Sequence, residues 1–267
     1  MSKKPSQIAL QAYAYVFIAY LLLPLIVMCG AAFNDSRFPT ILPWKGFTWR
    51  WFVELYNDDT IWQATINTAL VAIAVVVLAV PIGTAGAMLV NSLKGRSRAL
   101  LYGTMIAPIL TPGAVIGIST LLLWYKFDVP AGLHLSIFAQ TSFIAAYVML
   151  MVLARLQNFD GALEEAALDL GASHSQMLRR ILLPHLYPAL AAGAVLAFFQ
   201  SVENFNATQF TRGASTTLTV YVGSKVRTGI TPTIDALAAI MIGITVVGAV
   251  VYEITRRRNA AKLAAAK

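Results

Sequence analysis

Charge is scarce in this chain: Asp, Glu, Lys and Arg make up 12% of its 267 residues, about half the share usual in soluble domains. There is one cysteine, Cys29, set in an apolar run, which excludes a disulfide framework and a thiolate metal cluster. The three histidines, His134, His174 and His185, lie far apart without ligand spacing, so no metal site is expected. No Gly-Lys pair occurs, so the phosphate-binding loop G-x4-G-K-[ST] is missing and the chain carries no ATP-hydrolysing motif of its own. No cluster of His, Asp and Glu at membrane depth speaks for a membrane enzyme. Acids are fewer than bases, with a formal net charge of +8. The bases stand at the ends of apolar runs rather than in one patch, which points to membrane topology and away from nucleic acid.

What the chain does have is apolar length. It is 58% hydrophobic, with mean hydropathy +0.69. A helix crosses about 30 Å of hydrocarbon with ~20 residues, and six runs reach that length: 11–33, 64–91, 99–125, 136–156, 185–206 and 235–255. The first run is too long for a signal peptide and contains Pro24. With the N-terminus inside, segments 1–10, 92–98, 155–185 and 256–267 hold 13 Lys and Arg, against 7 in the outer segments. That bias predicts an all-α membrane protein of six transmembrane helices with both termini cytoplasmic. Segments 34–63 and 207–234 then face the periplasm, and 256–267 is a basic cytoplasmic tail. Pro81, Pro108 and Pro112-Gly113 interrupt the second and third runs, and kinks of this kind serve bundle packing or a pathway that changes shape. The two halves share no matched interruptions, which argues against an inverted-repeat secondary transporter.

One cytoplasmic segment, 157–184, departs from this oily pattern. Asp160 is a candidate N-cap, followed by Leu163, Ala166, Ala167 and Leu170 at helical spacing with Glu164, Glu165 and Asp169 on other faces. Gly171 fits a left-handed C′ position. Ser173 and Gln176 have capping-box spacing for a second helix, whose apolar side (Met177, Leu178, Ile181, Leu182) is expected to be interrupted at Pro184. Two capped helices with an apolar stripe exceed what a plain connection requires, so a docking role is the favoured reading.

Glu165-Ala166-Ala167, three residues, Gly171, nine residues, then Ile181-x-Leu183-Pro184 resembles the E-A-A-x3-G-x9-I-x-L-P signature of binding-protein-dependent (MetI-like) ABC importer permeases. Arg155-Leu156 with Phe159-Asp160, Asp169 to Ser173, Thr217-Leu218 with Tyr221, Val226-Arg227, Gly229, Thr231-Pro232, Ala236-Leu237 and Trp44-x-Gly-x-Thr48 narrow it to the spermidine/putrescine, PotC-type subgroup. The resemblance covers nearly the whole chain and implies the type I importer fold, with a MetI-like core over 64–255. It implies that Glu164, Glu165, Ala166, Ala167, Asp169, Gly171, Ala172, Ser173, Arg179 and Pro184 belong to the element that couples to an ATPase. It also implies a sister permease in a heterodimer, an ATP-binding subunit dimer and a periplasmic substrate-binding protein. No cofactor is then expected in this chain, ATP and Mg being held by the ATPase.

Glu203 ends the fifth apolar run, and an ionisable group near membrane depth is a functional candidate. A helix starting near Pro188 would place it about 22 Å along, past the midplane toward the outside. Ser201, Asn204, Asn206 and Gln209 add polar neighbours. The resemblance implies acids here for a polycationic substrate: Glu203 matches one, Asn204 stands where a second would be, and Gly113 replaces a third-span acid. Trp44 belongs to the resembling stretch, while Trp124 and Tyr125 offer cation–π contact, although an interfacial aromatic belt suits the latter pair better. The expected function is a permease for polyamines or a related small organic cation. Another small solute (an amino-acid derivative, opine or aminophosphonate) and, further off, a self-contained transporter are the alternatives.

Overall fold

The computed structural model describes residues 5–265; residues 1–4 of the N-terminal segment and 266–267 of the basic tail lie outside the described residues. Among the described residues all regular structure is helical. Five helical runs are long and apolar enough to cross a membrane: Leu10–Ala32, Asp59–Ser92, Leu133–Leu156, His174–Val202 and Pro232–Arg258. A sharply bent helix pair makes a sixth if it counts as one span. The chain divides into two units, one from its two ends (up to Asp59 and from Ser224 onward) and one from Thr60 to Gly223.

In the first unit α1 (Pro5–Ala32) and α2 (Arg50–Tyr56) both pack on α12 (Pro232–Ala265). The segment joining α1 to α2 is organised by one buried side chain. Asn34 Nδ2 donates to the carbonyls of Thr40 (2.8 Å) and Pro43 (3.2 Å), and its Oδ1 accepts from the Lys45 N–H at 2.8 Å. The buried Trp51 indole N–H donates to the Asn34 carbonyl at 2.8 Å. These bonds occupy polar groups that burial would otherwise leave unpaired at a cost of about 1–3 kcal/mol each. In the first turn of α12, Asp235 is buried, and its Oδ2 has no hydrogen-bond partner.

The second unit is built on α6 (Leu133–Leu156), which packs against α4 (Gly95–Leu110), α5 (Gly113–Tyr125), α9 (Leu183–Val202) and α10 (Asn206–Thr211). With α3 (Asp59–Ser92) it supplies a core of small and β-branched residues: Val71, Val75 and Ala79 from α3, Ile144, Val148 and Val152 from α6. Between membrane helices lipid offers no hydrophobic drive, so close packing of such side chains holds the bundle. The rest of this unit is α7 (Ala162–Asp169), α8 (His174–Met177) and, reaching beyond it, α11 (Leu218–Thr228).

Two sequence expectations change here. The third apolar run, expected as one helix over 99–125, is broken: α4 and α5 meet at 106°. Thr111 is extended (φ −89°, ψ 130°) and Pro112 follows it. Proline has no N–H for the helical ladder and drives the residue before it out of the α region. Pro184, expected to interrupt its helix, does not. The helix of α8 passes through one π-helical turn, Leu178–Leu182, directly into α9, in which Pro184 occupies the first turn. The wider turn, closed by Leu183 N–H to Leu178 C=O, makes room for a residue that cannot donate and would crowd its i−4 carbonyl.

Candidate functional site: the capped loop and the polar turn

The segment between α6 and α9 folds as two capped pieces. Asp160 Oδ1 accepts from the Ala162 N–H at 3.0 Å, and the helix starts one residue later than the sequence places it, with Gly161 at the N-cap. At its end Gly171 takes φ +82°. The Gly171 N–H bonds the Leu168 carbonyl at 2.9 Å and the Ala172 N–H bonds the Ala167 carbonyl at 3.0 Å. This is the paired closure of a Schellman cap. Ser173 then opens α8 with a capping box: the Gln176 N–H donates to Ser173 Oγ (3.3 Å) and the Ser173 N–H donates to Gln176 Oε1 (2.9 Å). Loss of such a cap costs about 1 kcal/mol. Ser173→Ala should therefore speed hydrogen exchange at the Gln176 amide about fivefold, and unchanged exchange there would show that the box contributes nothing.

The apolar stripe divides in two. Ala167 and Met177 turn inward and join the core of this unit. Leu163, Ala166 and Leu170 face outward, Leu170 with 89% of its surface exposed. Glu165, Asp169, Ser173, Arg179 and Pro184 are exposed beside them, and Glu164 and Ala172 are half-buried. The loop is thus clamped to the bundle at two points and presents an acidic surface with large apolar side chains held in water. Arg155 secures the junction, its Nε donating to the His185 carbonyl at 3.1 Å.

At the far end of α9 the chain makes a polar turn. Helix α9 begins at Leu183 rather than near Pro188, so Glu203, at its C-cap, lies about 30 Å from the start. Glu203 and Asn206 are exposed and Gln209 is half-buried. Ser201 and Asn204 are engaged within the bundle. The buried Ser201 hydroxyl donates to Gln140 Oε1, while Gln140 Nε2 donates to Thr208 Oγ1 at 2.8 Å and Ser136 pairs with Thr211 at 2.8 Å. Asn204 Oδ1 accepts from the N–H groups of Ala207 (3.2 Å) and Thr208 (3.3 Å) and from Thr208 Oγ1 (3.2 Å), which caps the short α10. Sequence reasoning missed Gln140, Thr208 and Ser136, because a lone polar residue in an apolar run has no periodic signal. Trp124 stacks on Phe138 (5.3 Å between centroids), and Tyr125 is 74% exposed. In the other unit Trp44 is half-exposed.

Residues 79–263 match the family described as binding-protein-dependent transport system inner membrane component. Over 249 residues the chain is 33% identical to the spermidine/putrescine transport system permease protein PotC of Haemophilus influenzae, covering 93% of this chain and 96% of that protein. It is 32% identical over 247 residues to the putrescine transport system permease protein PotI of Escherichia coli, covering 89% and 87%. The crystal structure of a bacterial alginate ABC transporter in complex with alginate pentasaccharide-bound periplasmic protein contains a chain that superposes with TM-score 0.71 over 94% of this one and 93% of its own length. At 18% identity that likeness concerns the fold alone. With more than half its length inside the matched region, this chain belongs to the binding-protein-dependent transport system inner-membrane component family.

Proposed function

We propose that this chain is one permease of an ATP-driven importer for polyamines or a related small organic cation, paired with a sister permease. An ATPase dimer on the cytoplasmic side holds ATP and Mg, and a periplasmic binding protein delivers the substrate. The observation that carries the reading is the doubly capped loop, rigid by backbone geometry, anchored by Ala167 and Met177, and yet exposing Leu163 and Leu170. Exposed leucines beside acids on a rigid element fit a groove of mixed apolar and basic character. The cytoplasmic placing of this loop in the reading is supported by the lysine and arginine bias of the sequence, 13 against 7. The substrate class rests on the likeness to the spermidine/putrescine and putrescine permeases and on Glu203, an exposed carboxylate at the polar turn.

Reconstitution with the sister permease, the ATPase and the binding protein in liposomes tests the whole assignment. ATP-dependent uptake of labelled putrescine or spermidine is the expected result; no uptake of either removes the substrate class. Glu203→Gln keeps the shape and deletes one charge, so the half-saturation concentration should rise by about two- to fivefold, the size of one exposed ion contact. Unaltered uptake kinetics would remove Glu203 from the path. A second reading, transport of an amino-acid derivative, opine or aminophosphonate, draws on Asn204, whose carboxamide oxygen is spent on capping α10 and adds no charge for a polycation.

A further inference from the structure

Where α4 begins and α6 ends, the chain forms an open pocket of about 360 Å³ lined by Gly95, Arg98, Ala99, Tyr102, Leu153 and Gln157. The buried Leu153 and the methyl of Ala99 give it an apolar side. Its polar side comes from Arg98, Tyr102 and Gln157, all exposed. None of these three side chains makes a hydrogen bond or an ion pair within the described residues. Each can donate, Arg98 through five N–H groups in a planar fork. The charge around them has one sign. Lys94 and Arg96 flank Arg98 in the sequence, and no acid occurs between Asp59 and Asp128 or between Asp128 and Asp160, so α4 and α6 carry none.

The depth of the pocket narrows its ligand. Two runs long enough to cross a membrane end beside it: Asp59–Ser92 stops six residues before Arg98, and Leu133–Leu156 stops at the residue before Gln157. The pocket therefore lies level with lipid headgroups, and the apolar surface of α4 continues from it, Leu100 being 71% exposed. The lysine and arginine bias favours the cytoplasmic side for this end, where the anionic lipids of a membrane attract basic segments. Phosphate oxygens only accept, and a guanidinium meets them with two parallel N–H bonds. A free anion would use the donors alone, whereas a phospholipid also covers the apolar side with its glycerol and first acyl carbons. A zwitterionic lipid brings its own cation, which Lys94 and Arg96 repel. We propose that this pocket is a docking site for the phosphate of an anionic phospholipid, with Arg98 as its charged contact and Tyr102 and Gln157 as neutral donors. The inference takes from the reading above only the side of the membrane, and it holds whatever solute is carried.

The test uses the complete importer, reconstituted in phosphatidylcholine vesicles with its sister permease, ATPase and binding protein. A trace of photoactivatable phosphatidylglycerol is compared with phosphatidylcholine carrying the same group, and labelled peptides are read by mass spectrometry. Phosphatidylglycerol should label the start of α4 and the end of α6 about fivefold more than phosphatidylcholine, the yield of one basic residue at a membrane surface. Arg98→Gln should abolish that preference, and Arg98→Lys, which keeps the charge, should retain most of it. Arg96→Gln makes the same charge change outside the pocket and should spare the greater part of the preference. Both positions are exposed, so neither variant disturbs the core. Equal labelling by the two lipids overturns the proposal. Equal loss in Arg96→Gln and Arg98→Gln also overturns it, reducing the effect to diffuse surface charge. Displacement of the label by inorganic phosphate would give the pocket to a free anion, and labelling only when the ATPase is left out would give it to that subunit; either result overturns the lipid. Absence of putrescine uptake would overturn the polyamine reading, whereas the label alone decides this one.

Discussion

Valine at position 171 should disconnect transport from ATP hydrolysis while leaving the protein inserted. Gly171 sits at φ +82°, where an L-residue costs about 1–2 kcal/mol and a β-branched one more. The cost falls on the Schellman closure, since the Gly171 and Ala172 N–H groups reach the Leu168 and Ala167 carbonyls only with that backbone. Nothing lies within 4 Å of the position a Cβ would take, so the effect is conformational and not steric. Opening the closure releases the end of α7 and re-aims Leu170. A shift of 1–2 kcal/mol moves the docking-competent population roughly tenfold, and uptake in liposomes should fall by about that factor at equal membrane abundance. Gly171→Asn should fall less, because asparagine visits this region more readily. Wild-type uptake in Gly171→Val would refute the loop as the coupling element.

Gly117→Leu should damage the opposite end of the same unit. A Cβ at Gly117 would meet the Ala207 carbonyl oxygen at 2.7 Å and its Cα at 3.0 Å. Both are backbone atoms of α10, so no side chain can swing aside, and α10 itself must leave α5. That displacement strains the Gln140–Thr208 and Ser136–Thr211 bonds and the Asn204 cap together. Overpacking of this kind costs about 1–3 kcal/mol, which should lower the apparent Tm of the purified protein by about 5–10 °C. Putrescine uptake should fall with it, because Glu203 and Asn206 ride on the turn that α10 holds. Gly243→Ala, at a position in α12 where a Cβ meets nothing, is the control and should leave Tm unchanged. An unaltered Tm in Gly117→Leu would mean that α10 is not seated on α5.

These positions differ in how legible they were. Gly171 announced itself because it follows a helical stripe and precedes a capping box, signals that act within a few residues. Gly117 is one glycine in an apolar run, and only the approach of α10, some ninety residues later, gives it a consequence. The break between α4 and α5 was half legible. Pro112 marked it, but hydropathy over 99–125 reads straight across, since averaging over a window is blind to direction. Pro184 misled for the opposite reason. The same residue that ends one helix is absorbed in another by a π-turn, and that outcome depends on what packs around Leu182 and Leu186.

Taken by itself, the sequence determined that the chain is helical, apolar enough to cross a membrane several times, and equipped with a capped, acidic loop between two spans. Those properties follow from composition and from interactions among residues close along the chain. Only the tertiary structure decided which way the polar groups turn. It sent Ser201 and Asn204 into bonds with other elements, left Glu203 exposed, and split the alanine face of the loop into an anchor and a free surface. A hydroxyl carries no long-range signal along the chain; its role is set by the partner that folding brings within about 3 Å.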